Sequence, residues 1–405
     1  MHVLFYHQNF PAQFGHVASY LATRRGYRCT FLSEKPPGIN DGVERIQYTV
    51  KGGATRQTHY CARTFENCIW HSHAAYEALK ARPDIRPDLV VGHSGFGSTV
   101  FLRELYDCPM INYFEYFYRP VNSDMDFRPD FPSEELNRLR SRARNGMLLI
   151  DLENCDAGYS PTLWQRNRLP ELFHQKVRVI FDGIDVNVWK PQPNLPRVVN
   201  GMTIPPGVKI LTYVSRGMES MRGFDIFMQV AQKVLDRRGD VIVLVVGEDR
   251  VCYGGDERMT GKKSFKEWVL SRGNYDLTRI LFLGRIHPLE LARLFSLTDL
   301  HIYLTVPFVL SWSLMDALAC GATVLASDTA PVCEMIRDGE NGLLAGFFDV
   351  ERLTEKACDV LARPADFKHL GAAGARMIRE RYALDVCLPQ MERLYEEVLN
   401  RGLRT

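Results

Sequence analysis

A chain of 405 residues is long enough for two ordinary domains. Its 46% apolar and 24% charged residues are those of a globular protein, and a formal charge of +2 gives no pull toward nucleic acid, which is not an expected partner. No run approaches the roughly 18 apolar residues that span a bilayer, and the opening Met-His-Val-Leu-Phe-Tyr-His lacks the basic start and small-residue cleavage site of a secretory leader, so the expected location is the cytoplasm.

In chain order, strand and helix signals alternate, which argues for parallel α/β layers. Residues 2–6 read as a short apolar strand. Residues 14–25 carry Phe14, Val17, Ala18, Leu21 and Ala22 at helical spacing and stop at Gly26. The ten cysteines are scattered without a CxxC pair; Cys29, Cys320 and Cys387 sit in apolar runs, as small buried side chains. Cys61, Cys68, His71 and His73 lie close together, but their spacing matches no common ligand pattern, so a plain helix and no metal is expected there. Further strands are expected at 27–32, 89–92, 110–114 and 157–160, with a helical stretch at 161–168 behind the last, and 177–181 leads into a turn at Asp182-Gly-Ile-Asp185. Residues 133–145 read as a helix capped by Ser133, with Arg138, Arg140, Arg142 and Arg144 as solvated side chains. Contact of that basic stretch with anionic lipid at the inner face of a membrane is the other reading, weakened by the scarcity of large apolar residues opposite.

The Pro-rich residues 191–208 mark a linker between a first domain, 1–190, and a second, 209–384. The second opens on a strand at 209–214. Residues 240–247 are almost wholly apolar, as for a strand buried on both faces. Strands at 280–283 and 300–304 follow, and a final helix, 385–405, carries Leu388, Met391, Leu394, Tyr395 and Val398 at helical spacing. No repeat of solenoid period is present.

Residues 307–326 carry the strongest chemical signal. They read as a polar loop, a helix, a glycine and a buried strand. The helix start places backbone N–H groups at Ser311, Trp312 and Ser313, with Asp316 one turn on. Amides and a helix dipole suit a diphosphate, and a carboxylate suits the two hydroxyls of a ribose. The bland reading of Asp316 is a helix-surface acid. The segment resembles the signature of retaining glycosyltransferases of family 4, with the GT-B fold: Glu-x7-Glu, then Ala-x-Ala-x-Gly and a Val-rich strand. Asp316 occupies the second acidic position, and Ala317, Ala319, Gly321 and Val324 follow in step. The first acidic position falls on Phe308.

That resemblance implies two Rossmann-like domains facing across a deep cleft, with the C-terminal helix crossing back to the first. Arg216 matches the family's diphosphate-binding arginine. Arg222, before Gly223 and one residue further on than usual, stands for its lysine. Two fixed cations can neutralise the leaving diphosphate without a metal or other cofactor; taken alone, both read as solvated loop charges. Gly247, and Arg285 and Ile286 after Gly284, fall where the family's backbone receives the nucleotide base. In the first domain, Ala12 and Gln13 stand where a glycine-rich loop approaches the donor phosphates, with Pro11-Ala12 in place of Gly-Gly. His93 lies in a small-residue loop fit for close approach, as a polar group of the site or a structural histidine. Glu115 takes the place of a histidine at a strand end, where a carboxylate stabilises forming positive charge or orients the acceptor hydroxyl. Tyr113, Tyr116 and Tyr118 are an acceptor platform or ordinary packing. Asp124, Asp126, Arg128 and Asp130 lie in the loop beyond, expected to shape the acceptor site.

The function so implied is transfer of a sugar from a UDP- or GDP-linked donor to a hydroxyl of a saccharide, lipid-linked or small-molecule acceptor, with retention and by front-face attack. Phe308 leaves three readings open. The sugar is held by other groups, the donor sugar differs, or activity is lost and the chain is a nucleotide-sugar-binding sensor or scaffold. A GT-B epimerase or phosphorylase is a further alternative that no residue selects.

Overall fold

The computed structural model describes residues 1–261 and 264–402, and the chain forms two units. The first comprises Met1–Met125, Ser133–Gly183 and the terminal segment from Leu384. Its sheet holds β1 (His2–Tyr6), β2 (Arg28–Ser33), β3 (Gly38–Asn40), β4 (Val43–Gln47), β5 (Leu89–His93), β6 (Met110–Tyr113), β7 (Ala157–Ser160) and β8 (Val177–Val179) in the order β3-β4-β2-β1-β5-β6-β7-β8. All pairs are parallel except β3 with β4. Side chains alternate across the sheet. Val3 and Phe5 face Phe14, Val17 and Leu21 of the first helical segment together with Leu388, Met391, Leu394, Tyr395 and Val398 of the helix Leu384–Gly402. Leu4 and Tyr6 turn the other way, against Ala75 and Leu79 of the helix Arg63–Lys80. Each large apolar side chain contributes about 1.5–3 kcal/mol on burial, so the terminal helix is part of this unit's core.

Two local expectations need correction. The helix predicted over 133–145 is Glu135–Asn154, and its N-cap is Glu134, without a side-chain cap. It runs on because Leu148 and Leu152 bury a further apolar stretch against Phe114 and Phe117. Its arginines are not all solvated: Arg140 donates to the Tyr60 hydroxyl and Thr64, and Arg144 to the Tyr118 hydroxyl. Cys68, His71 and His73 lie on the helix Arg63–Lys80, and among the described residues no group of three His, Cys, Asp or Glu is placed to hold a metal. No described helix is long and apolar enough to cross a membrane.

The second unit is Asp126–Pro132 with Ile184–Ala383. The Pro-rich stretch therefore belongs to it, and contains an antiparallel hairpin, β9 (Val198–Val199) and β10 (Met202–Thr203). Its parallel sheet holds β11 (Lys209–Gly217), β12 (Val241–Glu248), β13 (Ile280–Gly284), β14 (Leu300–Tyr303), β15 (Val324–Ser327) and β16 (Leu343–Ala345), in the order β13-β12-β11-β14-β15-β16. Strand order reverses between β11 and β14 here, and between β1 and β5 in the first unit. In open α/β sheets, ligands bind beyond the carboxyl ends of the strands at such points.

His301, on β14, is fully buried, with Nδ1 3.0 Å from the Thr212 hydroxyl. Burial pushes its pKa down to about 3. The unfolded chain therefore takes the proton first. The stability tied to this histidine is intact above about pH 6.5 and is lost as pH falls toward 3, at about 1.4 kcal/mol per pH unit. His301→Asn removes the titration, so between pH 6.5 and 5 the parent protein should lose about 2 kcal/mol relative to the variant. Chemical denaturation of both proteins at each pH measures this difference, in which the other titrating groups cancel.

Candidate active site

In the second unit the predicted donor residues gather at the carboxyl ends of β11–β14. Arg216 ends β11 with an exposed side chain, within hydrogen-bonding reach of the Tyr253 hydroxyl. Arg222 is instead buried, at 6% exposure. Its guanidinium donates to the Thr305 hydroxyl at 2.7 Å, the Val309 carbonyl at 3.2 Å and the Tyr303 hydroxyl at 3.4 Å. It is not a solvated loop charge; the residues after β14 hold it in place. Phe308, in place of an acid, is nearly buried, with its ring 6.0 Å from the Arg222 guanidinium carbon and 5.4 Å from the Tyr253 ring. Gly247 has φ of 145°, and a Cβ there would collide with the Ser215 carbonyl oxygen, so only glycine lets β12 close against the end of β11. Arg285 and Ile286 line a cavity of about 250 Å³ with Val199, Asn200, His287 and Leu294.

The helix predicted after Ser311 is Trp312–Ala319, and Ser311 is its N-cap: the Ser311 hydroxyl accepts from the Ser313 amide at 3.3 Å. That cap corrects the view of three open amides. The Ser313 amide is taken by the cap, and the Ser311 amide donates to the Tyr303 hydroxyl at 3.0 Å. Any anion that used these amides would first displace the internal bonds. Trp312 is exposed beside them.

Asp316 lies half-buried on the same helix, and among the described residues its carboxylate has no hydrogen-bond or ion-pair partner. Burial holds its pKa well above the ordinary carboxylate range. A half-buried carboxylate without a donor is less well solvated than in the unfolded chain unless something outside the fold supplies a donor. Asp316→Asn should therefore stabilise the protein at pH 7 by about 1 kcal/mol or more, while nucleotide-sugar affinity falls about ten- to hundredfold. Thermal unfolding and calorimetric titration check the two halves. An ordinary surface acid would move neither.

The first unit gathers a separate set around β1, β5 and β6. Ala12 has φ of 47°, the left-handed region that favours glycine, so the backbone keeps a glycine-like conformation where the family has Gly-Gly. The Gln13 side chain donates to Glu115 Oε1 at 3.2 Å. His93 is buried to 1% exposure, and its Nδ1 lies 3.0 Å from the Ser94 carbonyl. That bond requires the proton on Nδ1, because a carbonyl only accepts. Burial, and then the neighbouring His7, hold its pKa well below 6.5, so the ring is neutral. Nε2 keeps its lone pair, has no hydrogen-bond partner among the described residues, and stands 3.8 Å from Glu115 Oε2.

The aromatic platform is not formed as expected. Tyr113 is 1% exposed and donates to Asp182 from within the core. Tyr116 is buried and donates to Asp124 at 2.6 Å. Tyr118 accepts from Arg144 at 2.6 Å. Sheet packing claims these rings, the bland alternative in the sequence. Tyr253, Glu219 and Asp256, which lie beside Arg216 and Arg222, carried no signal in the sequence; they are brought together only by the fold.

Two family models match the chain in succession, "Glycosyl transferase family 4 group" over residues 25–189 and "Glycosyl transferases group 1" over residues 208–363. Sucrose-phosphate synthase from Thermosynechococcus elongatus shares the fold with a TM-score of 0.76 at 18% identity, covering 99% of each chain. HepE from Anabaena, in complex with UDP-glucose, gives 0.67 at 13% identity, over 98% of this chain and 100% of that one. The solved structures show the GT-B fold, two α/β units each with a parallel sheet, and each half of the chain separately matches a glycosyltransferase family model. Among curated relatives, N-acetyl-alpha-D-glucosaminyl L-malate synthase of Bacillus anthracis is 22% identical over 257 residues, 63% of each chain. The matched region spans between 42% and 63% of the length of the relatives found.

Proposed function

We propose that this chain is a retaining, metal-independent hexosyltransferase that moves a sugar from a nucleoside-diphosphate sugar to an acceptor hydroxyl. The observation that carries the reading is the pair Arg216 and Arg222 at the β11–β14 reversal, on the same sheet end as the partnerless carboxylate of Asp316. The diphosphate lies along the two arginines, the ribose diol on Asp316, and the base against the backbone of Arg285 and Ile286. A UDP-linked donor is favoured over a GDP-linked one, since HepE binds UDP-glucose. The Glu115 carboxylate orients the acceptor by accepting from a hydroxyl other than the attacking one, which keeps its own proton for the leaving group. As the bond from the anomeric carbon to the phosphate oxygen breaks, the bond to the acceptor oxygen forms on the same face. The acceptor proton passes to the departing phosphate oxygen. The arginines supply the stabilisation that a divalent cation gives elsewhere. The acceptor is a saccharide, a lipid-linked sugar or a small molecule.

Release of nucleoside diphosphate from a panel of UDP-, GDP- and ADP-sugars, with calorimetric binding, tests this. Slow hydrolysis of one donor, giving the retained anomer by proton NMR, is expected. Binding without turnover, even across an acceptor screen, would return the inactive sensor. No binding of any donor removes the reading.

A further inference from the structure

Residues 250–256, after β12, are clasped to residues 219–222, after β11, by two buried carboxylates working in opposite directions. Glu219 accepts the backbone N–H groups of Cys252, Tyr253 and Gly254 at 2.8, 2.8 and 3.2 Å. Asp256 accepts the amide and the hydroxyl of Ser220 at 2.7 and 2.5 Å. Three amides on one carboxylate is an investment in fixing the loop's tip, and that tip is Tyr253. The residue is 44% exposed. It lies 5.3 Å from the Arg222 guanidinium carbon and 5.4 Å from the Phe308 ring, with Arg216 in reach of its hydroxyl.

An exposed phenol thus stands between both diphosphate-binding arginines and the position that lacks an acid. We propose that Tyr253 is the residue that recognises the transferred sugar, taking over the task left vacant at Phe308. On donor binding its hydroxyl exchanges Arg216 for a sugar hydroxyl, while its ring and Phe308 present an apolar wall to the C–H face of the sugar. A phenol donates and accepts, so it replaces the hydrogen bonding of a carboxylate but adds no negative charge. Glu219 and Asp256 are positioning residues that act through the loop. This inference rests on the donor-site reading above.

The test is the ratio of dissociation constants for the nucleotide sugar and for the free nucleoside diphosphate, by calorimetry, in the parent protein, Tyr253→Phe and Tyr253→Ala. Nucleoside-diphosphate affinity should hold within about twofold in Tyr253→Phe. The preference for the sugar-bearing ligand should fall about three- to tenfold in Tyr253→Phe and further in Tyr253→Ala, with unchanged thermal unfolding. Ratios equal to the parent's in both variants overturn the role of Tyr253 and leave the donor site standing. A parent protein that binds neither ligand overturns both.

Discussion

Arg216→Ala is expected to cut the rate of sugar transfer, or of donor hydrolysis, by about 10²–10³-fold while leaving thermal stability within about 0.5 kcal/mol of the parent. The side chain is exposed at the end of β11, so little packing is lost. On the proposed mechanism, what goes is a guanidinium that offsets the negative charge growing as the diphosphate departs. Because that charge is greater in the transition state than in the bound donor, the loss should fall on kcat more than on KM. Arg216→Lys keeps the charge and loses the planar fork, and should lie between. Arg222 is the poorer first target: its guanidinium also serves Thr305, Val309 and Tyr303, so its removal confounds folding with catalysis. Steady-state release of nucleoside diphosphate, paired with an unfolding curve for each variant, checks the result. A rate within a factor of two of the parent's would sink the assignment of the diphosphate site.

Arg128→Met is expected to destabilise the second unit by about 3–5 kcal/mol. Arg128 sits in the segment Asp126–Pro132, which folds with this unit although it comes from far earlier in the chain. Its side chain is 3% exposed and grips Asp225 in a fork of 2.6 and 2.9 Å, the Ser220 carbonyl at 2.8 Å and Asp130 at 2.5 Å. The rings of Phe131, Phe347 and Phe348 lie 4.6, 5.4 and 5.9 Å from the guanidinium carbon. Deleting the cation leaves the Asp225 carboxylate, 12% exposed, without its counter-charge. Adding Asp225→Asn should restore most of the loss, since a buried pair costs little to remove whole. Denaturant midpoints for the parent, both single variants and the double variant give the coupling energy. Additive losses would show that the pair is not the source of the effect.

The sequence assigned Arg128 to the acceptor side, and the reason for that error is instructive. Its neighbours Asp124, Asp126 and Asp130 form a local charge pattern, whereas its principal partner lies 97 residues away. Nothing local marks such a pair. The same limit explains Tyr113 and Tyr116, whose run of aromatic neighbours reads equally as platform or core until Asp182 and Asp124 are seen to take their hydroxyls. By contrast the helix stop at Gly26, with φ of 68°, was legible, because it depends on contacts within a few residues.

By itself, then, the sequence determined what short-range physics writes into it. The alternation of strands and helices follows from the periodicity of apolar residues, which matches the pitch of the element that buries them. The positions Arg216, Arg222, Gly247, Arg285 and Asp316 were read from the resemblance to the family-4 signature, whose motifs are local in sequence, and the structure sets them at or after the carboxyl ends of β11–β14. Tertiary structure alone decided which of these are buried and what they touch. It buried Arg222 beneath Tyr253 and Phe308 and clasped the loop at 250–256 to Glu219. It left Asp316 without a donor and set His93 Nε2 against Glu115. Each of these is a meeting of segments tens of residues apart, set by how strands stack in a sheet, and the spacing of residues along the chain carries no record of it.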